Sequence, residues 1–130
     1  NAVRDNDIYS GFDGDALVFT FQRNGEVSGN RIVKGSISLY MNRDTTCRSN
    51  TVMNAPTYGI HVTLPSDNIY IDANRIVQSD ASAIRVARMD MNDGPMVHDL
   101  QQIMQPPPTV NTDERPQYRA TGIQITANRI

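Results

Sequence analysis

An asparagine recurs in this chain with similar neighbours on either side. Five segments share one frame: Val3-Arg4-Asp5-Asn6-Asp7-Ile8, Val27-Ser28-Gly29-Asn30-Arg31-Ile32, Cys47-Arg48-Ser49-Asn50-Thr51-Val52, Ile71-Asp72-Ala73-Asn74-Arg75-Ile76 and Ile125-Thr126-Ala127-Asn128-Arg129-Ile130. Each reads apolar, polar, small, Asn, polar, aliphatic. Successive Asn residues are 24, 20, 24 and 54 positions apart. A fixed frame at a spacing of this size is the mark of a solenoid, in which each repeat forms one coil and stacks on the next.

The frame also dictates a bend. Residues three before and two after each Asn are apolar, and positions five apart on a straight strand face opposite sides. Both can point inward only if the chain turns between them. Asn tolerates the left-handed backbone region better than other non-glycine residues, so the bend is expected at the Asn itself, with the small residue before it leaving room. Stacked coils would set the Asn side chains about 4.8 Å apart, close enough for an amide ladder.

A further strand is expected in each coil. Ala16-Leu17-Val18-Phe19-Thr20, Ser36-Ile37-Ser38-Leu39-Tyr40, Gly59-Ile60-His61-Val62-Thr63 and Ala83-Ile84-Arg85-Val86-Ala87 alternate apolar and variable positions, which predicts an apolar inner face and a variable outer one. Leu17, Ile37, Ile60 and Ile84 should form one inward column, and Val27, Cys47, Ile71 and Ile125 another.

These strands and corners resemble the right-handed parallel β-helix of pectate-lyase-like proteins. The resemblance is carried by the four alternating strands and by frames such as Asn68-Ile69-Tyr70-Ile71-Asp72-Ala73-Asn74-Arg75-Ile76 and Gly122-Ile123-Gln124-Ile125-Thr126-Ala127-Asn128-Arg129-Ile130. It covers the chain outside residues 88–121. The fold it implies is an all-β, right-handed parallel β-helix of about five coils with one long inserted loop; the rival is a β-sandwich carrying a chance Asn pattern. That class includes polysaccharide lyases, glycoside hydrolases, alginate epimerases and phage tailspikes. The resemblance therefore implies carbohydrate recognition or cleavage by a protein that is secreted or sits on a virion surface. Fold and function separate readily, and the competing class is a non-catalytic structural segment of a trimeric fibre or surface adhesin.

Composition narrows the partners. The chain has 130 residues, the size of one domain or part of one, with a net charge of −2 and no Trp. The charge gives no bias toward polyanions, and nucleic acid is not favoured; no apolar run is long enough to span a membrane. The single Cys47 excludes an internal disulfide and sits where Val or Ile stands in the other frames, which fits a small buried hydrophobe. Both ends read as open coils. Solenoids need covered ends, so the expectation is a piece of a longer β-helix, or one member of an assembly such as a homotrimer.

Residues 88–121 interrupt the period. They hold Met96-Val97-His98-Asp99-Leu100-Gln101-Gln102-Ile103-Met104, whose apolar spacing suits one face of a short helix. Asp93 and Pro95 supply a start signal and Pro106-Pro107-Pro108 a stop. Such a loop either walls a cleft or covers coil surface or a neighbouring subunit.

Chemistry must come from outward positions. On the alternating strands these run Val18, Ser38, His61, Arg85 and then Thr20, Tyr40, Thr63, Ala87. His61, Arg85 and Tyr40 are the candidate catalytic residues: an acid or base, a cation to neutralise a carboxylate, and a phenol to position or protonate a sugar. The competing reading is a polar, solvated strand face. Asn111-Thr112-Asp113 is similar to a polygalacturonase element, but its Asp-Asp, Gly-His-Gly and Arg-Ile-Lys partners are missing. Asp7, Asp13 and Asp15 cluster without the spacing that fixes calcium ligands. Arg31, Arg75 and Arg129 each follow a corner Asn and form either a solvated stripe or a carbohydrate or subunit contact. His98 is polar-facing on the expected helix and stands alone.

Overall fold

The computed structural model describes residues 1–10, 14–64, 66–88 and 122–130. Thirteen strands follow one another without an intervening helix among these residues. They are β1 Ala2–Arg4, β2 Asp7–Tyr9, β3 Asp15–Thr20, β4 Glu26–Ser28, β5 Arg31–Val33, β6 Ser36–Tyr40, β7 Arg43–Arg48, β8 Thr51–Ala55, β9 Ile60–Leu64, β10 Asp67–Asp72, β11 Arg75–Ser79, β12 Ile84–Arg88 and β13 Gln124–Thr126. The chain visits three parallel sheets in rotation. The first is β1-β4-β7-β10-β13, the second β2-β5-β8-β11 and the third β3-β6-β9-β12. This is a parallel β-solenoid, passing five times through its first sheet and four times through each of the others. The expected helix at 96–104, its signals at Asp93 and Pro95, His98, Asn111-Thr112-Asp113 and Asp13 lie outside the described residues, as does nearly all of the 88–121 segment.

Four columns of left-handed residues make the bends. Asp5, Gly29, Ser49, Ala73 and Ala127 have φ of 55°, 66°, 53°, 52° and 50° and turn the chain from the first sheet to the second. Lys34, Asn54 and Gln78 leave the second sheet, at 57°, 55° and 58°. Phe21 and Met41 leave the third, and Asn24, Asp44, Asn68 and Gly122 lead into the first. The frame asparagines are therefore not the left-handed residues, as their tolerance of that region had suggested. The residue before each one takes that conformation. The Asn itself turns inward, where Asn30, Asn50 and Asn74 are each about 1% exposed.

The reason lies in the amide groups. A bend breaks the ladder of backbone pairs between coils, and a buried N–H without a partner costs free energy. The Asn side chain restores the pairing. Asn50 Oδ1 accepts from the backbone N–H and from Nδ2 of Asn30, both at 3.0 Å. Asn50 Nδ2 donates to Asn74 Oδ1 at 2.9 Å and to the Val27 carbonyl at 3.0 Å. Two donors and two acceptor sites are all a carboxamide has, and all are used. Asn6, Asn30, Asn74 and Asn128 continue the same chain of amides. A shorter ladder runs at the exit of the third sheet. There the Gln22 N–H donates to Asn42 Oδ1 at 2.8 Å, Asn42 Nδ2 to the Phe19 carbonyl at 2.7 Å, and the Asn42 N–H to Ser66 Oγ at 3.2 Å.

With the bends fixed, side chains stack by rung. Leu17, Ile37, Ile60 and Ile84 are register partners, as are Val27, Cys47, Ile71 and Ile125. Ile37, Ile60, Val27, Cys47 and Ile71 are fully buried; Ile125, on the outermost strand of the first sheet, is 48% exposed. Ile32, Val52 and Ile76 form a third column from the second sheet. Burial pushes the Cys47 thiol up to about 12, against a weaker opposing hydrogen bond from Asn50. The thiol is a packing group, as its frame position implied.

Two stability tests follow from this packing. Asn50→Asp keeps the shape but loses both Nδ2 donors and turns a carboxylate oxygen toward Val27 and Asn74 oxygens. It should cost about 3 kcal/mol or more in urea unfolding, because buried groups are left unpaired. The same change at exposed Asn6 should cost far less. Ile60→Ala, in the middle of its column, should lower the unfolding free energy by about 2–5 kcal/mol.

Candidate functional site

The outer face of the third sheet gathers several chemically versatile side chains. Parallel register sets Val18, Ser38, His61 and Arg85 in one outward column and Thr20, Tyr40, Thr63 and Ala87 in the next. The structure brings Tyr40 and His61 together, ring centroids 6.1 Å apart and edge to face. Arg85 stands on the neighbouring rung, register partner to His61. The three residues singled out from the sequence thus share one patch.

Tyr58 joins them from the turn before β9. Its ring lies 5.2 Å from that of His61, and the Arg85 guanidinium sits 4.6 Å from its centroid. Arg85 Nη1 also donates to Tyr58 Oη at 2.5 Å. The pair locks the cation over an aromatic face while Arg85 stays exposed. Sequence alignment of the strands missed Tyr58 because it lies outside them. Its only signal is an aromatic directly before the Gly59-Ile60 strand start.

Asp15 is the second addition, and a backbone irregularity places it. Leu17 points inward, so Asp15 two residues earlier would do so on a regular strand. The register shifts between Asp15 and Leu17: Asp15 pairs with Ser36 while Leu17 pairs with the next residue, Ile37. One extra residue in β3 turns the Asp15 carboxylate to the outer face, a common use of a bulge. Tyr40 Oη donates to Asp15 Oδ2 at 2.6 Å, and Ser38 Oγ donates to Asp15 Oδ1.

The outer face is less solvated than its polar residues imply. Ser38 is 0%, Thr63 3% and Tyr40 7% exposed. Among the described residues, His61 Nε2, Ser36 Oγ and Thr63 Oγ1 are buried without a hydrogen-bond partner. Burial lowers the His61 pKa from its ordinary 6.5, the Arg85 charge lowers it further, and Asp15 pulls the other way. The imidazole is therefore neutral at neutral pH and able to accept a proton.

The first sheet has a different outer face, where charges satisfy one another. Arg4 and Arg48 both grip Glu26, and the Arg4 hydrogen bond leads in holding that carboxyl below its usual range. Arg43 pairs with Asp67 at 3.2 Å. Asp7 and Asp15, weighed above for calcium, stand apart, Asp7 on Arg31 and Asp15 on Tyr40. Among the described residues no three His, Cys, Asp or Glu side chains converge as a metal site would require.

Compared with known proteins, the chain matches no family model, no curated protein and no solved structure at a significant level.

The lowered His61 pKa carries a sign. As pH falls, the unfolded chain protonates this imidazole first, so stability is lost as pH drops below about 6.5 and levels off below the depressed folded value. His61→Gln should flatten that part of the curve. Urea midpoints of both proteins across this range would check it; parallel curves would mean His61 titrates normally.

Proposed function

We propose that this solenoid is a carbohydrate-acting β-helix of the pectate-lyase-like kind, working on an acidic polysaccharide at the outer face of its third sheet. One observation carries the reading: a neutral imidazole, an exposed guanidinium and two phenols converge on one patch. In this reading Arg85 holds the uronate carboxylate and neutralises the enolate that develops from it. The His61 imidazole removes the proton on the carbon next to that carboxylate. The C–O bond to the neighbouring sugar breaks, a double bond forms in the ring, and the departing oxygen takes up a proton from water. Tyr40, its hydroxyl hydrogen held by Asp15, positions the sugar. Such an enzyme would be secreted or carried on a virion.

One finding favours a structural role instead. Ser38, Tyr40 and Thr63 are buried on this outer face, as they would be on a face packed in a fibre rather than open to a glycan.

The assay is incubation with polygalacturonate, alginate and hyaluronan, following ultraviolet absorbance of the unsaturated product together with reducing ends. Elimination raises both signals and hydrolysis only the second. His61→Ala and Arg85→Ala should each lower turnover by at least 100-fold, the scale of one general acid–base group. No cleavage of any glycan, with binding unchanged in both variants, would leave the structural role standing.

A further inference from the structure

Tyr58 is placed by the stacking of coils rather than by a strand of its own. It lies between β8 and β9, in a turn whose backbone is pinned from the next coil. The Ala81 N–H donates to the Thr57 carbonyl at 2.8 Å, and the Gly59 N–H to the Ser82 carbonyl at 3.2 Å. Gly59 sets how closely this turn lies against the core. A Cβ there would stand 2.6 Å from Ile76 Cγ2 and 2.7 Å from the Ala83 carbonyl oxygen. The turn therefore delivers the Tyr58 ring beside the two rungs that carry His61 and Arg85. Arg85 is exposed, and among the described residues no carboxylate pairs with it. Its anchor is Tyr58, through the ring face and the hydroxyl. An exposed arginine otherwise spreads over many rotamers, and a ligand that binds it must first order it.

We propose that Tyr58 is the positioning residue of the third-sheet patch, its ring and hydroxyl holding the Arg85 guanidinium already ordered beside the His61 imidazole. The uronate carboxylate for Arg85 is taken from the function proposed above; the ordering of the cation by Tyr58 stands on the contacts alone. His61 is faced by Asp15 on β3, Tyr40 on β6, Tyr58 from the turn and Arg85 on β12. Burial disfavours the imidazolium most, the Arg85 charge disfavours it further, and Asp15 favours it. Of these influences, the Arg85 charge depends on where an exposed, flexible side chain sits, and Tyr58 decides that. A carboxylate landing on Arg85 offsets its charge and raises the proton affinity of His61. The anchor thus couples occupancy of the patch to the strength of its base.

The test is an NMR titration of His61, which needs no cleavable glycan. The chain has two histidines, so a His98→Gln background leaves one imidazole signal. Tyr58→Leu should raise the His61 midpoint and release the Arg85 side chain, seen as a collapse of the heteronuclear NOE at its Nε–H. Part of any rise comes from burial lost with the ring. The same substitution in an Arg85→Gln background isolates that part, and its effect there should be clearly smaller. Tyr58→Phe keeps the ring and drops the hydroxyl, so it should fall between the wild type and Tyr58→Leu in both readouts. Equal midpoint shifts with and without Arg85 would show that Tyr58 acts by burial alone and would overturn the proposal. So would an Arg85 NOE that is already low in the wild type or unchanged in Tyr58→Leu. Oligogalacturonate should raise the midpoint in the wild type and not in Arg85→Gln; no shift in the wild type counts against the carboxylate role of Arg85, separately from the Tyr58 result.

Discussion

A backbone amide at a bend must find a partner, and this requirement organises the whole molecule. A parallel coil can close only by turning, and each turn interrupts the regular pairing with the coils on either side. The carboxamides of Asn30, Asn50 and Asn74 supply the missing partners by bridging to the next coil and back to the previous one. Once those amides stack, the strands on both sides share a register, and every apolar column follows from it. The ladder thus specifies alignment as well as contributing energy, since a one-residue slip at a corner would orphan several buried groups and expose the column beside it.

That division of labour leaves the outer faces free to differ. The inner positions repeat Ile, Val and Leu from rung to rung. The outer ones do not repeat. One sheet neutralises itself through Arg4, Glu26 and Arg48; another lines up cations; the third collects a carboxylate, an imidazole, phenols and a guanidinium. Because neighbouring rungs are a strand spacing apart, residues distant in sequence become neighbours. Asp15, Tyr40 and His61 meet for that reason.

Much of this was legible in the sequence because it depends on spacing. The inward columns, the buried Cys47 and the convergence of His61, Arg85 and Tyr40 all follow from counting residues. What escaped depends on backbone detail. The left-handed conformation falls on Ser49 and Ala73, which tolerate it no better than most residues, because the Asn after each is committed to the amide ladder. The ladder through Gln22, Asn42 and Ser66 escaped because the Ser66 hydroxyl does there what the Asn42 carboxamide does one coil earlier. The burial of Ser38, Thr63 and Tyr40 escaped because alternation identifies the outer face without saying whether water reaches it.

The bulge in β3 frees the third-sheet patch from the exact length of the chain that enters it. Ala16 is the surplus residue between Asp15 and Leu17. Without it Asp15 would stand directly before inward-facing Leu17, and on a regular strand that position also faces outward. The carboxylate thus reaches the same side of the sheet at either length. Two homologous chains could differ by one alanine here and still both present Asp15 to the phenol. Within such a lineage a gap at Ala16 would leave the patch intact, whereas a change at Asp15 itself would not.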